Sequence, residues 1–81
     1  MDEATQMPVT AIKTGKTAKV CRILGGPGVF QKLNSMGIDV GSMIKKISSA
    51  SANGPTVFEV KRTQIAIGHG IAQKILVEVL E

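Results

Sequence analysis

A glycine-rich segment at residues 25–37, GGPGVFQKLNSMG, runs into a stretch with helical spacing, and many proteins bind phosphate at such a place. The dinucleotide-binding pattern G-x-G-x-x-G is absent, because a match that starts at Gly26 would put its third glycine at Gln31. The phosphate-loop pattern G-x-x-x-x-G-K-[ST] also fails, since residues 15–17 supply its end but Thr10 stands at its first glycine. Two interpretations of the segment remain: a tight turn, or a helix start whose free amides accept a carboxylate or phosphate from a partner.

The chain has one histidine, His69, and one cysteine, Cys21, which are the residue types most often found in transition-metal and nucleophilic sites. A structural metal site needs three or four ligands, and most of the carboxylates that would complete one lie at the chain ends. Nothing in the spacing places a third group to orient His69 against Cys21, and paired carboxylates are absent. The sequence predicts no enzyme, no resident cofactor and no tight metal site. It leaves open a weak ferrous site, within the chain or between subunits, that uses His69, Cys21 or a carboxylate.

Positive charge is concentrated in the body of the chain. All ten lysine and arginine residues lie between Lys13 and Lys74, and residues 4–77 hold two acidic residues, so this region carries a net charge of +8. A basic body favours an acidic partner, which can be a protein surface, an anionic lipid or nucleic acid, unless it is simply a solvated surface. Nucleic acid is not expected, because Phe30 and Phe58 are the only aromatic residues on which bases could stack.

At 81 residues the chain is long enough for one small domain. We expect residues 1–6 to form a disordered tail and residues 7–81 a single domain, with the segment SSASANG at 48–54 as a hairpin loop. The amino-terminal segment has neither the basic region nor the apolar core of a signal peptide, and no apolar stretch approaches the roughly 20 residues that span a bilayer. These features predict a cytoplasmic protein that does not insert into a membrane.

The strand before the glycine-rich segment is predicted to be bent. In KTAKVCRIL, residues 16–24, inward apolar side chains alternate up to Val20, but Ile23 falls one residue out of this register. A β-bulge near Cys21 and Arg22 would return Ile23 to the buried face, and it would give the strand the curvature that a small barrel requires.

The helix after this segment is predicted to be short. Three apolar residues recur at i, i+4 and i+7, and Gly37 follows as a stop, which predicts a helix over about residues 28–36. A helix of about two turns is unstable alone in water, so its apolar stripe must pack on a sheet. That stripe consists of Val29, Leu33 and Met36.

Further strands are predicted at residues 42–48, 56–62 and 75–79, with a very short strand and a glycine turn in QIAIGHG at 64–70. Five short strands and one short helix are typical of a small, strongly bent β-barrel. The predicted fold class is therefore mainly β, a five-stranded barrel with one inserted α-helix.

Four segments follow one another along about residues 7–80: TGKTAKVCRILGG, QKLNSMGIDVGSMI, GPTVFEV and IAIGHGIAQKILVEV. The most specific of their motifs is LNSMGIDVG at 33–41. In this combination and order the chain resembles the ferrous iron transport protein A (FeoA) family. The residues that carry the family motif are Leu33, Met36, Gly37, Ile38, Gly41 and Ala72.

This resemblance implies an SH3-like domain and a small cytosolic accessory protein of bacterial ferrous iron uptake. The partner it implies is the transporter FeoB, whose cytosolic part is a GTP-binding domain, with the accessory protein as a non-enzymatic docking and regulatory module. Similar domains form the carboxyl-terminal part of metal-dependent repressors of the diphtheria-toxin type, which implies direct metal sensing as the alternative. No helix-turn-helix precedes the barrel in this sequence, which favours the free-standing form.

A contact surface for such a partner is expected on the helix and the loop before it. The predicted contact residues are Arg22, Gly25, Gly26, Phe30 and Lys32, because aromatic and basic side chains commonly form the centre of a protein interface. The alternative is that Phe30 extends the core.

Two residues depart from the family pattern. Arg62 stands where a turn glycine is common, which puts the geometry of the turn before Ile65 in question. Lys46 stands where the second strand is usually apolar, so we expect either a register shift that turns Met43 and Ile47 inward or a frayed edge.

Overall fold

The structure, a computed structural model, describes residues 6–49 and 54–80 of the chain. The predicted tail at 1–6 and the predicted hairpin loop at 48–54 fall largely outside these residues. The described elements, in chain order, are β1 (Met7–Pro8), a 3₁₀ turn (Val9–Ala11), β2 (Thr17–Ile23), α1 (Pro27–Ser35), β3 (Met43–Ser49), β4 (Thr56–Val60), β5 (Thr63–Ile67), α2 (His69–Ala72) and β6 (Ile75–Val79).

The strands form one antiparallel sheet in the order β1-β6-β2-β3-β4-β5. Alternate side chains of the strands and one side of α1 meet in a single apolar core, of which Phe58 is the largest member. The buried apolar residues are Val9, Ile12, Ala18, Val20, Leu33, Ile38, Ile44, Phe58, Val60, Ile67, Ala72, Ile75 and Val77.

The predicted class, mainly β with one inserted helix, is confirmed, and two short elements differ from the prediction. β1 pairs with β6 through Met7 and Pro8 and makes a sixth strand. The glycine turn expected after β5 is instead one turn of helix, α2, in which Ala72 is fully buried. Elements of two and four residues are too short to show a periodic pattern, so sequence spacing does not predict them. α1 itself begins and ends one residue earlier than expected.

The predicted β-bulge in β2 is confirmed. The register between β2 and β6 shifts between Val20 and Arg22, so Cys21 is the extra residue. Val20 is fully buried, Arg22 is exposed, and Ile23 is half-buried against the core. The bulge therefore returns the last residue of β2 to the inner face of the sheet.

The two alternatives expected for β3 are not met as stated, since Met43 does not turn inward and the strand is not a frayed edge. Met43 is 49% exposed and Ile44 is fully buried, so the strand begins in the unshifted register. A register shift does occur, but it follows Lys46 and leaves Ile47 half-buried. β3 is not a frayed edge either, because it pairs with β2 on one side and with β4 on the other.

The unshifted register turns Lys46 toward the inner side of the sheet. Its Nζ donates to the carbonyl oxygens of Thr10 and Ile12 at 3.2 and 2.9 Å. These carbonyls lie at the end of the 3₁₀ turn, where main-chain acceptors have no partner within the turn. The half-buried lysine therefore brings its ammonium group to two carbonyls that the turn itself leaves without a donor.

A Schellman motif ends α1. Gly37 has a φ of 88°, and its N–H donates to the Asn34 carbonyl at 2.9 Å. The N–H of Ile38 donates to the Leu33 carbonyl at 2.9 Å, and both of these side chains are fully buried. The left-handed backbone requires the glycine, and the two apolar residues hold the helix end against the core.

The next residues form a type II turn that leads into β3. The N–H of Ser42 donates to the Asp39 carbonyl at 2.9 Å, and Gly41, at the third turn position, has a φ of 97°. The Ser42 hydroxyl donates to Oδ1 of Asp39 at 2.7 Å. The N–H of Gly41 donates to the Val20 carbonyl at 2.8 Å, which fixes the turn to β2. Within residues 33–41, Leu33 and Ile38 belong to the core, Gly37 caps α1, and Gly41 allows the turn into β3.

A two-residue turn joins β4 to β5. Val60 pairs with Thr63, and between them Lys61 and Arg62 have φ values of 52° and 69°. Positive φ at both central residues defines a type I′ turn, for which Asn-Gly is a preferred sequence. A residue with a side chain costs about 1 to 2 kcal/mol in this backbone region. The turn before Ile65, whose geometry was in question because Arg62 replaces a common glycine, therefore forms with strained backbone.

Replacing Arg62 with glycine is expected to stabilise the protein by about 0.5 to 1 kcal/mol. The relief of left-handed strain exceeds the entropy that a glycine adds to the unfolded chain. Urea unfolding followed by circular dichroism measures the change. Arg62→Ala is the matched control, because it removes the same charge and keeps a Cβ atom in the strained region. An equal gain in both variants would show that charge, and not the backbone, is responsible.

Candidate functional site

The candidate site is the segment 24–32, which comprises the glycine loop and the exposed side of α1. Gly26 is the N-cap of α1, with a φ of 88°, and its carbonyl accepts the Phe30 N–H at 3.1 Å. Pro27 occupies the first helical position, where a main-chain N–H would have no partner within the helix. The N–H of Leu24 donates to the Lys74 carbonyl at 2.8 Å, which ties the loop to the residues just before β6.

Gly25 lies under the side chain of Lys74. A Cβ atom at Gly25 would come within 2.9 Å of Lys74 Cδ and 3.0 Å of Val29 Cγ2, and φ at this residue is 99°. The lysine stem therefore packs on glycine backbone, and a side chain here would displace it. Gly26 has no atom within 4 Å of its Cβ position, so its own requirement for glycine comes from φ alone.

The predicted apolar stripe of α1 faces the sheet. Leu33 is fully buried, and Val29 and Met36 are half-buried against the core. Phe30 and Lys32 are two residues apart, which separates them by about 200° around a helix, so they flank the stripe on opposite sides. The structure thus keeps both on the surface without joining them into one patch.

Two large apolar side chains of the site are exposed. Phe30 is 44% exposed and Leu24 is 38% exposed, so the alternative in which Phe30 extends the core is wrong. Arg22 at the end of β2 and Lys32 on α1 are exposed as well. Leu24 is not among the contact residues predicted from the sequence, although strand alternation indicates it, because Ile23 turns inward and the next residue turns out.

A second exposed apolar pair lies at the start of β3. Val40 in the type II turn is 58% exposed, and Met43 is 49% exposed. Met43 was expected to be buried, because the unshifted register would place the charged Lys46 on the inner face of the sheet. Simple alternation around the buried Ile44 was the better signal.

No group of three or more histidine, cysteine, aspartate and glutamate side chains that could hold a metal ion occurs in residues 6–49 and 54–80. Cys21 is half-buried in the bulge of β2, with its Sγ 3.6 Å from the Lys19 carbonyl oxygen. His69 is half-buried at the start of α2. The carboxylate of Asp39 accepts the Ser42 hydroxyl. The described part of the chain therefore brings neither His69 nor Cys21 into a set of three ligands.

No pocket was found within the described residues, and none of their helices is long and apolar enough to cross a membrane. The longest, α1, has nine residues. The candidate site offers two exposed apolar residues, Leu24 and Phe30, with the exposed basic residues Arg22 and Lys32 and the half-buried Lys74.

Comparison with known proteins identifies relatives of this chain. The model of the FeoA domain family matches residues 7–79. A protein named Fe(2+) transport protein A from Methanocaldococcus jannaschii is 44% identical over 71 residues, which are 88% of this chain and 84% of that protein. A crystal structure of an iron uptake regulatory protein, FeoA, matches with a TM-score of 0.85 at 34% identity, over 94% of this chain and 99% of the other.

A manganese-dependent transcriptional repressor shares the fold, with a TM-score of 0.87 at 22% identity. The match covers 99% of this chain and 45% of the repressor. At this identity the likeness concerns the fold alone. Together with the FeoA structure, these matches confirm the small SH3-like fold.

Proposed function

Because this chain belongs to the FeoA domain family, whose members are small accessory proteins of ferrous iron transport, we propose that it docks on the cytosolic GTP-binding domain of an FeoB-type transporter and regulates it. In this proposal the protein is a cytoplasmic, non-enzymatic module without a resident cofactor, and it binds through α1 and the glycine loop. The observation that carries the proposal is the exposure of Phe30 and Leu24 on a segment whose flanking charged residues, Arg22 and Lys32, are exposed and basic.

Phe30 is suited to be the apolar anchor of such an interface. Its neighbours Val29 and Leu33 pack against the core, so α1 already holds the Phe30 backbone in place before a partner arrives. A preordered side chain loses little conformational freedom when it is buried, which leaves more of the apolar transfer free energy for binding. Aromatic side chains buried at the centre of an interface commonly contribute about 2 kcal/mol or more.

Charge favours an acidic surface on the partner. Residues 22–38 contain Arg22 and Lys32 and no aspartate or glutamate. Lys74 adds a third basic residue where it lies over Gly25. An excess of one sign of charge around an apolar centre speeds association with a surface of the opposite sign and orients it. The association rate should therefore fall as salt is added.

Phe30→Ala is expected to weaken binding to the purified GTP-binding domain about 30-fold, because the variant loses the apolar anchor. Lys32→Glu is expected to reduce mainly the association rate, by about tenfold at low salt, because it places a negative charge against an acidic surface. Surface plasmon resonance with the immobilised transporter domain measures both effects. Circular dichroism checks that the variants are folded.

Met43→Ala and Lys13→Glu are the matched controls. They make the same types of change at exposed residues outside the candidate site, so both should bind as the unaltered protein does. Unaltered affinity in both site variants would reject α1 as the contact surface. Failure of the unaltered protein to bind the transporter domain would reject the proposal as a whole.

A further inference from the structure

β5 is an edge strand of the described sheet. It pairs with β4 on one side, and no other described strand pairs with its second side. Its sequence, TQIAI at residues 63–67, contains no charge and no proline, and its register with β4 contains no bulge. Edge strands usually carry one of these features, because free main-chain groups attract other strands. β5 thus has the properties of an edge that receives a partner.

The main-chain groups of β5 that point away from β4 belong to Gln64 and Ala66, and no described main-chain group pairs with them. In a two-residue hairpin the pair beside the turn, here Val60 and Thr63, is hydrogen-bonded, and hydrogen-bonded pairs then alternate along the two strands. Gln64 and Ala66 fall at the alternate positions, so their N–H and C=O groups point away from β4. Both residues are exposed. The edge therefore presents two donors and two acceptors at the spacing of a strand.

The turn at the start of β5 presents two cations on strained backbone. Lys61 and Arg62 are exposed, and both have positive φ, which an Asn-Gly turn would adopt at lower cost. Strain at residues that a better turn sequence could replace points to a role for their side chains. Glu59, the acidic residue of β4, lies opposite Lys45 and Gln64 in the ladder and not opposite the turn.

We propose that the free edge of β5 binds an extended, acidic segment of another protein as an additional strand. The main chain of that segment pairs with Gln64 and Ala66, and its carboxylates face Lys61 and Arg62. A second copy of this chain fits less well, because residues 4–77 carry a net charge of +8 and two such bodies repel each other. The surface does not include α1, so the inference does not rest on the docking proposed above.

The probe is an end-capped octapeptide of alternating valine and glutamate, titrated into the full ¹⁵N-labelled chain. Without peptide, the Gln64 and Ala66 amides should exchange quickly with solvent, and the Ile65 amide slowly. With peptide, exchange at Gln64 and Ala66 should slow by about tenfold or more, and the Lys61 and Arg62 signals should shift. A valine-lysine octapeptide of the same length should produce neither change.

Ala66→Pro removes an outward N–H without altering the ladder to β4, so it should abolish peptide binding while the Ile65 amide stays protected. Ala66→Ser, the matched control, keeps the N–H and should bind as the unaltered protein does. The double variant Lys61→Glu, Arg62→Glu should weaken binding by about tenfold or more.

The proposal is overturned if the valine-glutamate peptide leaves Gln64 and Ala66 unprotected. Equal binding by Ala66→Pro, or by the valine-lysine peptide, would overturn it as well. If these two amides become protected in the free protein as its concentration rises, the occupant is a second copy of the chain, and the proposed acidic partner is wrong.

Discussion

Replacing Leu33 with alanine is expected to lower the free energy of unfolding by about 3 kcal/mol. Leu33 is the fully buried residue of α1, so its truncation loses apolar transfer free energy and leaves a cavity. A helix of nine residues is not stable alone in water, which makes the position of α1 dependent on this contact. Urea unfolding followed by circular dichroism measures the loss.

Leu80→Ala provides the control for this truncation. Leu80 is 45% exposed, so the same change should cost less than about 1 kcal/mol. Because α1 carries Phe30, the Leu33 variant should also bind the transporter domain more weakly, even under conditions in which it is folded. A stability loss below about 1 kcal/mol would contradict the anchoring role of Leu33.

Replacing Lys46 with methionine is expected to cost about 2 kcal/mol. The ammonium group donates to the Thr10 and Ile12 carbonyls, and its removal leaves two acceptors without a donor in a part-buried place. Methionine is similar in length and is apolar, so the loss reports on the hydrogen bonds and not on a cavity. Thermal and urea unfolding give the change in the free energy of unfolding.

Lys45→Met is the matched control for this substitution. Lys45 is the preceding residue of β3 and is exposed on the opposite face, so the change should alter stability by less than about 0.5 kcal/mol. Equal effects at Lys45 and Lys46 would show that the two carbonyl contacts contribute nothing specific. A gain in stability in Lys46→Met would show that apolar packing outweighs the hydrogen bonds at this position.

A substitution in the turn before β5 is expected to change both the stability of the protein and its affinity for the peptide. Arg62→Gly is expected to make the protein more stable and, in the peptide titration, to weaken the valine-glutamate complex, because one substitution removes both the strain and the cation. A gain in stability together with a loss of binding is the expected effect of relieving strain at a residue whose side chain binds a partner.

Local sequence patterns determined most of the elements that frame the candidate site. The β-bulge at Cys21, the buried stripe of α1 and the stop at Gly37 all follow from spacing within a few residues. Apolar side chains at strand or helix spacing must share one buried face, and a left-handed backbone position favours glycine wherever it occurs. Such requirements do not depend on where the rest of the chain lies.

Tertiary structure alone decided which groups bind the Lys46 ammonium and whether Phe30 is exposed. The carbonyls that accept the Lys46 ammonium lie 34 and 36 residues away in the chain, so its charge by itself indicated an outward position that the fold reverses. Phe30 lies on the flank of α1, and whether a flanking side chain is covered depends on how the helix sits on the sheet. The two-residue β1 likewise exists only through its pairing with β6. In each case the deciding contact joins residues distant in sequence, and a single sequence has no local pattern that reports such a contact.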